Sequence, residues 1–253
     1  MIRILLARAL QGFKTIPFPK GDPPELPSRF PGLPVIDASR CRPGCTKCEN
    51  ACPTGAISAG DGMSIDLGKC LFCTDCIGAC PEGAISFSRE YRLSVRSRDD
   101  LIVTANQQLR RADALSGQLR SILGRSLRLR VVSAGGCNAC ESDVNVLNTI
   151  GWDLSRFGIQ YVASPRHADG IIVTGPVTKH METALKKTYD AIPEPKIVVA
   201  VGACAISGGP FIGHDETDNG AESTVPVDLY IPGCPPHPLT ILEGLLRLIG
   251  RIS

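Results

Sequence analysis

Twelve cysteines in 253 residues constrain this chain more than any other feature. They fall into three groups of four: Cys41, Cys45, Cys48 and Cys52; Cys70, Cys73, Cys76 and Cys80; Cys137, Cys140, Cys204 and Cys234. None is left over. Arg3 and Arg8 interrupt the first apolar stretch, so it does not read as a signal-peptide core. Without a secretory signal, clustered cysteines point to metal ligands rather than disulfides, because cytosolic thiols stay reduced. The rest is ordinary globular composition, 43% hydrophobic and 21% charged, which excludes disorder and a collagen-like fibre. Apolar runs such as 171–173 and 197–201 fall far below the roughly 18 residues of a membrane span. A net charge of +2 argues against nucleic acid as the main partner.

The first eight cysteines lie in an internal repeat. ACPTGAIS at 51–58 returns as ACPEGAIS at 79–86, with seven of eight residues matching at an offset of 28. Each copy ends C-x₂-C-x₃-C-P. With Cys70 the second copy reads C-x₂-C-x₂-C-x₃-C-P, a run in which three thiolates wrap one cubane and the fourth serves the other cluster. This assigns Cys41, Cys45, Cys48 and Cys80 to one [4Fe–4S] cluster, and Cys70, Cys73, Cys76 and Cys52 to a second. Over residues 30–95 the sequence resembles the two-cluster ferredoxins. One departure is the spacing of Cys41 and Cys45, where Arg42-Pro43-Gly44 stands in place of two residues. A Pro-Gly turn is able to absorb the insertion. Two structural zinc sites are the competing reading, but Cys₄ zinc sites normally draw on two separated pairs, not two copies of a run ending in Cys-Pro.

Beyond residue 127 the pattern changes. Strands are predicted at 127–134, 158–164, 170–175 and 196–202, with helices at 141–150, 178–191 and 238–251. Strands alternating with helices imply βαβ units on a parallel sheet. The last four cysteines follow predicted strands or sit in the loop before the last helix, and open α/β sheets bind ligands beyond the carboxyl ends of their strands. Gly135-Gly136 and the glycines near Cys204 allow the backbone to approach a bulky group. A third [4Fe–4S] cluster is the sharper reading, and a set of buried inert thiols the plainer one.

GGCNACE, SPRHADGIIVTGPVT, VAVGACAISGG and VDLYIPGCPPHP occur in that order over 128–253. These motifs resemble the small subunit of group 4 [NiFe] hydrogenases, a family that includes formate hydrogenlyase and is related to the complex I subunit holding the terminal cluster. The first half resembles the ferredoxin-type subunit of the same complexes, so the chain looks like a fusion of two neighbouring subunits. The resemblance implies an α+β two-cluster ferredoxin domain followed by an α/β flavodoxin-like, doubly wound parallel-sheet domain. The expected division is an extension at 1–29, the ferredoxin domain at 30–95, an Arg-rich connector at 96–127 and the α/β domain at 128–253. The family shows C-x-I-E after the second ligand; here Glu141-Ser142-Asp143 follows Cys140, so a shorter carboxylate stands at the last position. Glu141 and Asp143 are proton-path candidates, or simply acids favouring a helix N-terminus. The resemblance also puts Arg166, His167 and Asp169 near the third cluster and a large-subunit interface; a local ion pair is the plainer reading. His237 follows Cys234 closely, but four cysteines already fill the site.

The function implied is electron transfer between a [NiFe] hydrogenase-like large subunit and a redox partner such as formate dehydrogenase, through three [4Fe–4S] clusters. The complex would include membrane-embedded complex I-like subunits, with this chain peripheral on the cytoplasmic face of the inner membrane. No catalytic group is expected on the chain itself, since the cofactors carry the chemistry. A quinone-reducing complex I-like subunit, a soluble ferredoxin-type carrier and a zinc scaffold are the alternatives. Residues 89–130 hold ten arginines, and apolar positions between 106 and 126 suggest an amphipathic helix that connects the halves or docks an acidic partner. In MIRILLARALQGF, Ile2, Leu5, Leu6 and Ala9 share a helix face that could lie against a membrane-embedded subunit, although one short helix holds lipid weakly.

Overall fold

The computed structural model describes residues 2–59, 62–105, 109–124 and 126–252. Among these, the chain opens with helix α1 (Ile2–Gln11). The cysteine repeat contains strands β1 (Pro34–Ile36), β2 (Ile57–Ser58), β3 (Ser64–Asp66) and β4 (Ile85–Phe87), with short helices α2 (Lys47–Asn50) and α3 (Asp75–Ala79). β1 pairs antiparallel with β4, closing the ends of the repeat. β2, β3 and a further strand β5 (Ile102–Thr104) form a three-stranded antiparallel sheet.

Helix α4 (Gly117–Leu123) follows. The predicted amphipathic stretch 106–126 is therefore helical only in its second half. Residues 106–108 and 125 of that stretch lie outside the described residues. Ser116 caps α4 by accepting the Leu119 N–H.

The second half is built on a parallel sheet. Its strands are β6 (Leu127–Ser133), β7 (Ile159–Tyr161), β8 (Gly170–Thr174), β9 (Ile197–Val201) and β10 (Leu229–Ile231). The spatial order is β7-β6-β8-β9-β10, every pairing parallel. Helices α5 (Ala139–Val146), α6 (Lys179–Asp190), α7 (Ala203–Ser207) and α8 (Pro238–Leu248) lie between or after the strands. β10 and α7 are additions to the sequence reading, and α5 begins and ends earlier than predicted.

Alternate residues of the strands feed different layers. Ile172, Ile197, Val199 and Val201 pack with Val144 of α5 and the apolar stripe of α8. Ile171, Val173 and Val198 pack with Leu185 of α6 on the other face. Near the β9–β10 edge that second face is covered by the cysteine half: Ala200 and Tyr230 share a core with Leu67, Val95 and Leu101. Val95 exchanges backbone hydrogen bonds with Tyr230, and the Ser207 hydroxyl donates to the Gly68 carbonyl at 2.7 Å. Arg98 grips Asp66 with two hydrogen bonds, at 2.8 and 2.7 Å, on the same seam. The two halves therefore share one core.

Leu67 is fully buried in that core. Leu67→Ala should cost about 2–5 kcal/mol and weaken both halves together. Denaturant unfolding of the cluster-loaded chain, followed by visible absorbance and by far-ultraviolet circular dichroism, should give coincident transitions displaced equally by the substitution. Two separated transitions would show that the halves fold independently.

Candidate metal centres

The local geometry of the repeat explains where its thiols point. In Cys52-Pro53-Thr54-Gly55-Ala56 and Cys80-Pro81-Glu82-Gly83-Ala84 each glycine has φ of +59°, a conformation side chains resist. Proline sets the entry to the turn and glycine completes it. The following N–H then turns back to sulfur: Ala56 N–H to Cys52 Sγ at 3.2 Å, and Ala84 N–H to Cys80 Sγ at 3.3 Å. In this arrangement Cys41, Cys45, Cys48 and Cys80 line one pocket. Cys52, Cys70, Cys73 and Cys76 line another, walled by Ile57, Ile65 and Phe87. Each Cys-Pro thiol thus stands with three cysteines of the other run.

The electrostatics follow the same grouping. Burial pushes the Cys70 thiol up to about 12, the Phe72 N–H opposes it, and Cys76, Cys52 and Cys73 add to it. Burial and then Cys73 and Cys52 push Cys76 up to about 11. Cys48 is raised by burial first, then by Cys80 and Cys41 against local N–H groups. Cys80 goes the other way: burial, the largest single effect, raises it, but the N–H groups of Ala84, Glu82, Gly83 and Ile85 together outweigh burial and lower it.

The third quartet gathers at the carboxyl ends of the parallel strands. Cys137 follows β6, Cys140 lies in the first turn of α5, Cys204 lies in α7 after β9, and Cys234 follows β10. Burial raises Cys140 strongly, with Cys204, Glu141, Cys234 and Cys137 adding to it. Burial, then Cys234, Cys137 and Glu141, push Cys204 up to about 11. Glycine is required beside two of these sulfurs. A Cβ on Gly202, at φ +90°, would stand 2.5 Å from Cys140 Sγ, and one on Gly209 would stand 2.8 Å from Cys204 Sγ.

The donor set fits iron–sulfur clusters. Crowded, buried thiols resist ionisation unless a cationic core holds them as thiolates, and N–H groups aimed at sulfur tune such a core. Among the described residues, no three His, Cys, Asp or Glu side chains stand close enough to share one ion.

The carboxylate candidates divide. Glu141 is buried, and its Oε1 accepts hydrogen bonds from the Ser133 and Thr174 hydroxyls. Asp143, its carboxyl raised by burial, lines a pocket with Cys234, His237 and Phe72. His237 is a cap: Nδ1 accepts the Leu239 N–H at the start of α8, and the ring packs edge-on against Phe30 and Trp152. Arg166, His167 and Asp169 are a correction. They precede β8, at the amino ends of the strands, so the length of the sheet separates them from the third quartet. Asp169 Oδ2 accepts the Arg128 N–H at 2.7 Å and fixes the entry to β6, in place of the expected pairing with Arg166.

A model of the NADH ubiquinone oxidoreductase 20 kDa subunit family matches residues 137–248. A probable membrane-bound hydrogenase subunit of Pyrococcus furiosus is 38% identical over 151 residues, covering 60% of this chain and 90% of that protein. This chain belongs to that family. It is an oxidoreductase subunit of the hydrogenase and complex I type, without a complete active site of its own. A [4Fe–4S] dicluster domain model matches residues 40–84, so a ferredoxin-type segment precedes the family domain in one chain. An NADH-quinone oxidoreductase subunit of Clostridium beijerinckii is 45% identical over 118 residues, 46% of this chain and 70% of that one. Formate hydrogenlyase subunit 7 of Escherichia coli is 39% identical over 142 residues, 55% of each chain.

The raised thiols predict a pH dependence of the cluster-free chain. In the folded state Cys70, Cys76 and Cys204 hold their protons to about 11–12, whereas an unfolded thiol ionises near about 8.5. Between these values the folded state binds more protons, so stability falls as pH rises. The melting temperature of the cluster-free chain should drop steadily from about pH 9 to about pH 12. The loaded chain, its sulfurs already ionised, should lack this component. Equal slopes for both forms would contradict the assignment.

Proposed function

We propose that this chain is the electron-transfer subunit of a membrane-associated [NiFe] hydrogenase of the formate hydrogenlyase type, holding three [4Fe–4S] clusters. Cys41, Cys45, Cys48 and Cys80 hold the first; Cys52, Cys70, Cys73 and Cys76 the second; Cys137, Cys140, Cys204 and Cys234 the third. The clusters supply one-electron carriage between a large-subunit active site and a redox partner such as formate dehydrogenase. The observation that carries the reading is continuity between quartets. Cys48 adds to the upward shift of Cys76, and Cys73 to that of Cys234. These contacts support a series of three sites with the second between the others. Leu71 and Phe72 of the second run share a pocket with Cys234.

The spatial strand order reads 2-1-3-4-5 in chain sequence, which supports a flavodoxin-like doubly wound sheet. In the division at 1–29, 30–95, 96–127 and 128–253, the change from antiparallel to parallel pairing supports the boundary near 127, while β5, inside the 96–127 connector, pairs with β3 of the repeat. Among the described residues no helix is long and apolar enough to cross a membrane. The proposal includes a peripheral place on the cytoplasmic face beside membrane-embedded complex I-like subunits. Glu141 and Asp143 are the carboxylates placed to handle protons beside the third quartet. A quinone-reducing complex I-like subunit is the second reading, favoured by the likeness to the NADH-quinone oxidoreductase subunit of Clostridium beijerinckii. Two C-x₂-C pairs in the large subunit would decide for nickel.

Iron analysis of the anaerobically prepared chain should give about twelve atoms. Gly202→Ala, by displacing Cys140 Sγ, should reduce this to about eight. Cys76→Ser should perturb the paramagnetic signal of the second cluster, and Cys80→Ser that of the first. Eight irons in the unaltered chain would remove the third site, and stoichiometric zinc would end the proposal.

A further inference from the structure

Helix α1 carries an apolar stripe that none of the described residues covers. Ile2, Leu5, Leu6, Ala9 and Leu10 follow the spacing i, i+3, i+4, i+7, i+8, one face of a helix. None of the ten residues is buried. Leu10 is 87% exposed and Phe13, just beyond the helix, 85%. Gly12, at φ +62°, ends the helix, and the Arg8 guanidinium lies 4.6 Å over the Phe13 ring. The anchor comes only after this point. Thr15 Oγ1 donates to the Ile150 carbonyl, the Ile16 N–H to that of Gly151, and Arg156 to the carbonyls of Ile16 and Phe18. Ile150, whose carbonyl receives Thr15, is itself exposed.

An isolated helix of this length is marginal in water and needs a surface to pack on. Charge decides which surface. Residues 1–21 contain Arg3, Arg8, Lys14 and Lys20 and no Asp or Glu. On the helix, Arg3 and Arg8 fall on opposite borders of the stripe, so both flanks are cationic. Ile4 alone among the large apolar residues faces away. Apolar side chains below and cations along both edges match a helix lying in the plane of an anionic lipid surface, with stems in the acyl boundary and charges at the headgroups.

We propose that α1, with Phe13 and Ile150 beside it, seats this subunit on an anionic bilayer surface. The inference rests on the reading of the chain as a peripheral subunit of a membrane complex, and adds a direct lipid contact to it. One helix of this size binds reversibly, so it orients the subunit while other subunits supply the rest of the attachment.

Sedimentation of the full-length, cluster-loaded chain with vesicles tests this. Vesicles of phosphatidylcholine with about 30% phosphatidylglycerol should bind about tenfold or more tightly than phosphatidylcholine alone, and salt should erase the difference. Leu6→Glu with Leu10→Glu should abolish binding. Arg3→Gln with Arg8→Gln should remove the preference for anionic lipid. Since α1 touches none of the core, visible absorbance should be unchanged in every variant. The proposal is overturned if the loaded chain stays in solution with both vesicles, if the Glu variant binds undiminished, or if α1 proves to be held by a membrane-embedded protein subunit without lipid. A chain that binds vesicles but carries no iron would retain this proposal and remove the electron-transfer reading.

Discussion

The crowding of buried thiols is the constraint on which the rest of this structure depends. A thiol brought near three others gains little from ionising unless something positive stands between them, and burial makes the cost larger. The fold accepts that cost at three places. It does so through short loops, where glycine and proline help turn backbone N–H groups toward sulfur. The Cys-Pro-x-Gly turns at 52–55 and 80–83 do this twice with the same hydrogen bond, and Gly202 and Gly209 leave room for the sulfurs of Cys140 and Cys204.

Once the thiols are placed, their relative positions must not drift, and the shared core supplies that rigidity. The five-stranded sheet has α5 and α8 on one face, while the other is divided between α6 and the cysteine repeat. The repeat therefore stands where another layer of the sheet domain would otherwise be needed. Arg98–Asp66, the Val95–Tyr230 bridge and Ser207–Gly68 tie the seam. A second network lies behind it: Glu90 receives Arg92 and Arg111, and Glu243 of α8 receives Arg247. Several arginines of the basic connector are thus spent on internal carboxylates, which weakens its reading as a docking strip for an acidic partner.

Much of this was legible in the sequence because cysteine spacing and strand periodicity are local signals. The repeat, the grouping of the first eight thiols and four strands of the parallel sheet could all be read from short windows. β10 was hidden because its three residues, Leu229–Ile231, lie inside a longer irregular stretch. α7 was hidden because its five residues are too few to show a period. Residues 106–126 read as one amphipathic helix because spacing alone does not reveal where tertiary contacts stop it; among the described residues of that stretch the helix begins only at the Ser116 cap. The expected nearness of Arg166, His167 and Asp169 to the third quartet failed for a different reason. A motif in the right order along a chain says nothing about which end of a parallel strand it occupies, and these residues stand at the amino end while the cysteines gather at the other.

That polarity has a functional consequence. In a parallel sheet the two ends are chemically unlike: loops after the strands build sites, and loops before them mostly hold the sheet together. Asp169 does the second job, binding the Arg128 N–H while its own carbonyl receives Ile197. Glu141 does the first. It lies in the first turn of α5 directly after Cys140, and its Oε1 is held by hydroxyls from β6 and β8. A carboxylate fixed by two neighbouring strands cannot swing away when the loop above it adjusts. The third quartet consequently stands beside a carboxylate anchored in the sheet, while Cys137 and Cys234 remain exposed at its open side. Electron exchange with a partner requires that combination of a fixed base and an accessible edge.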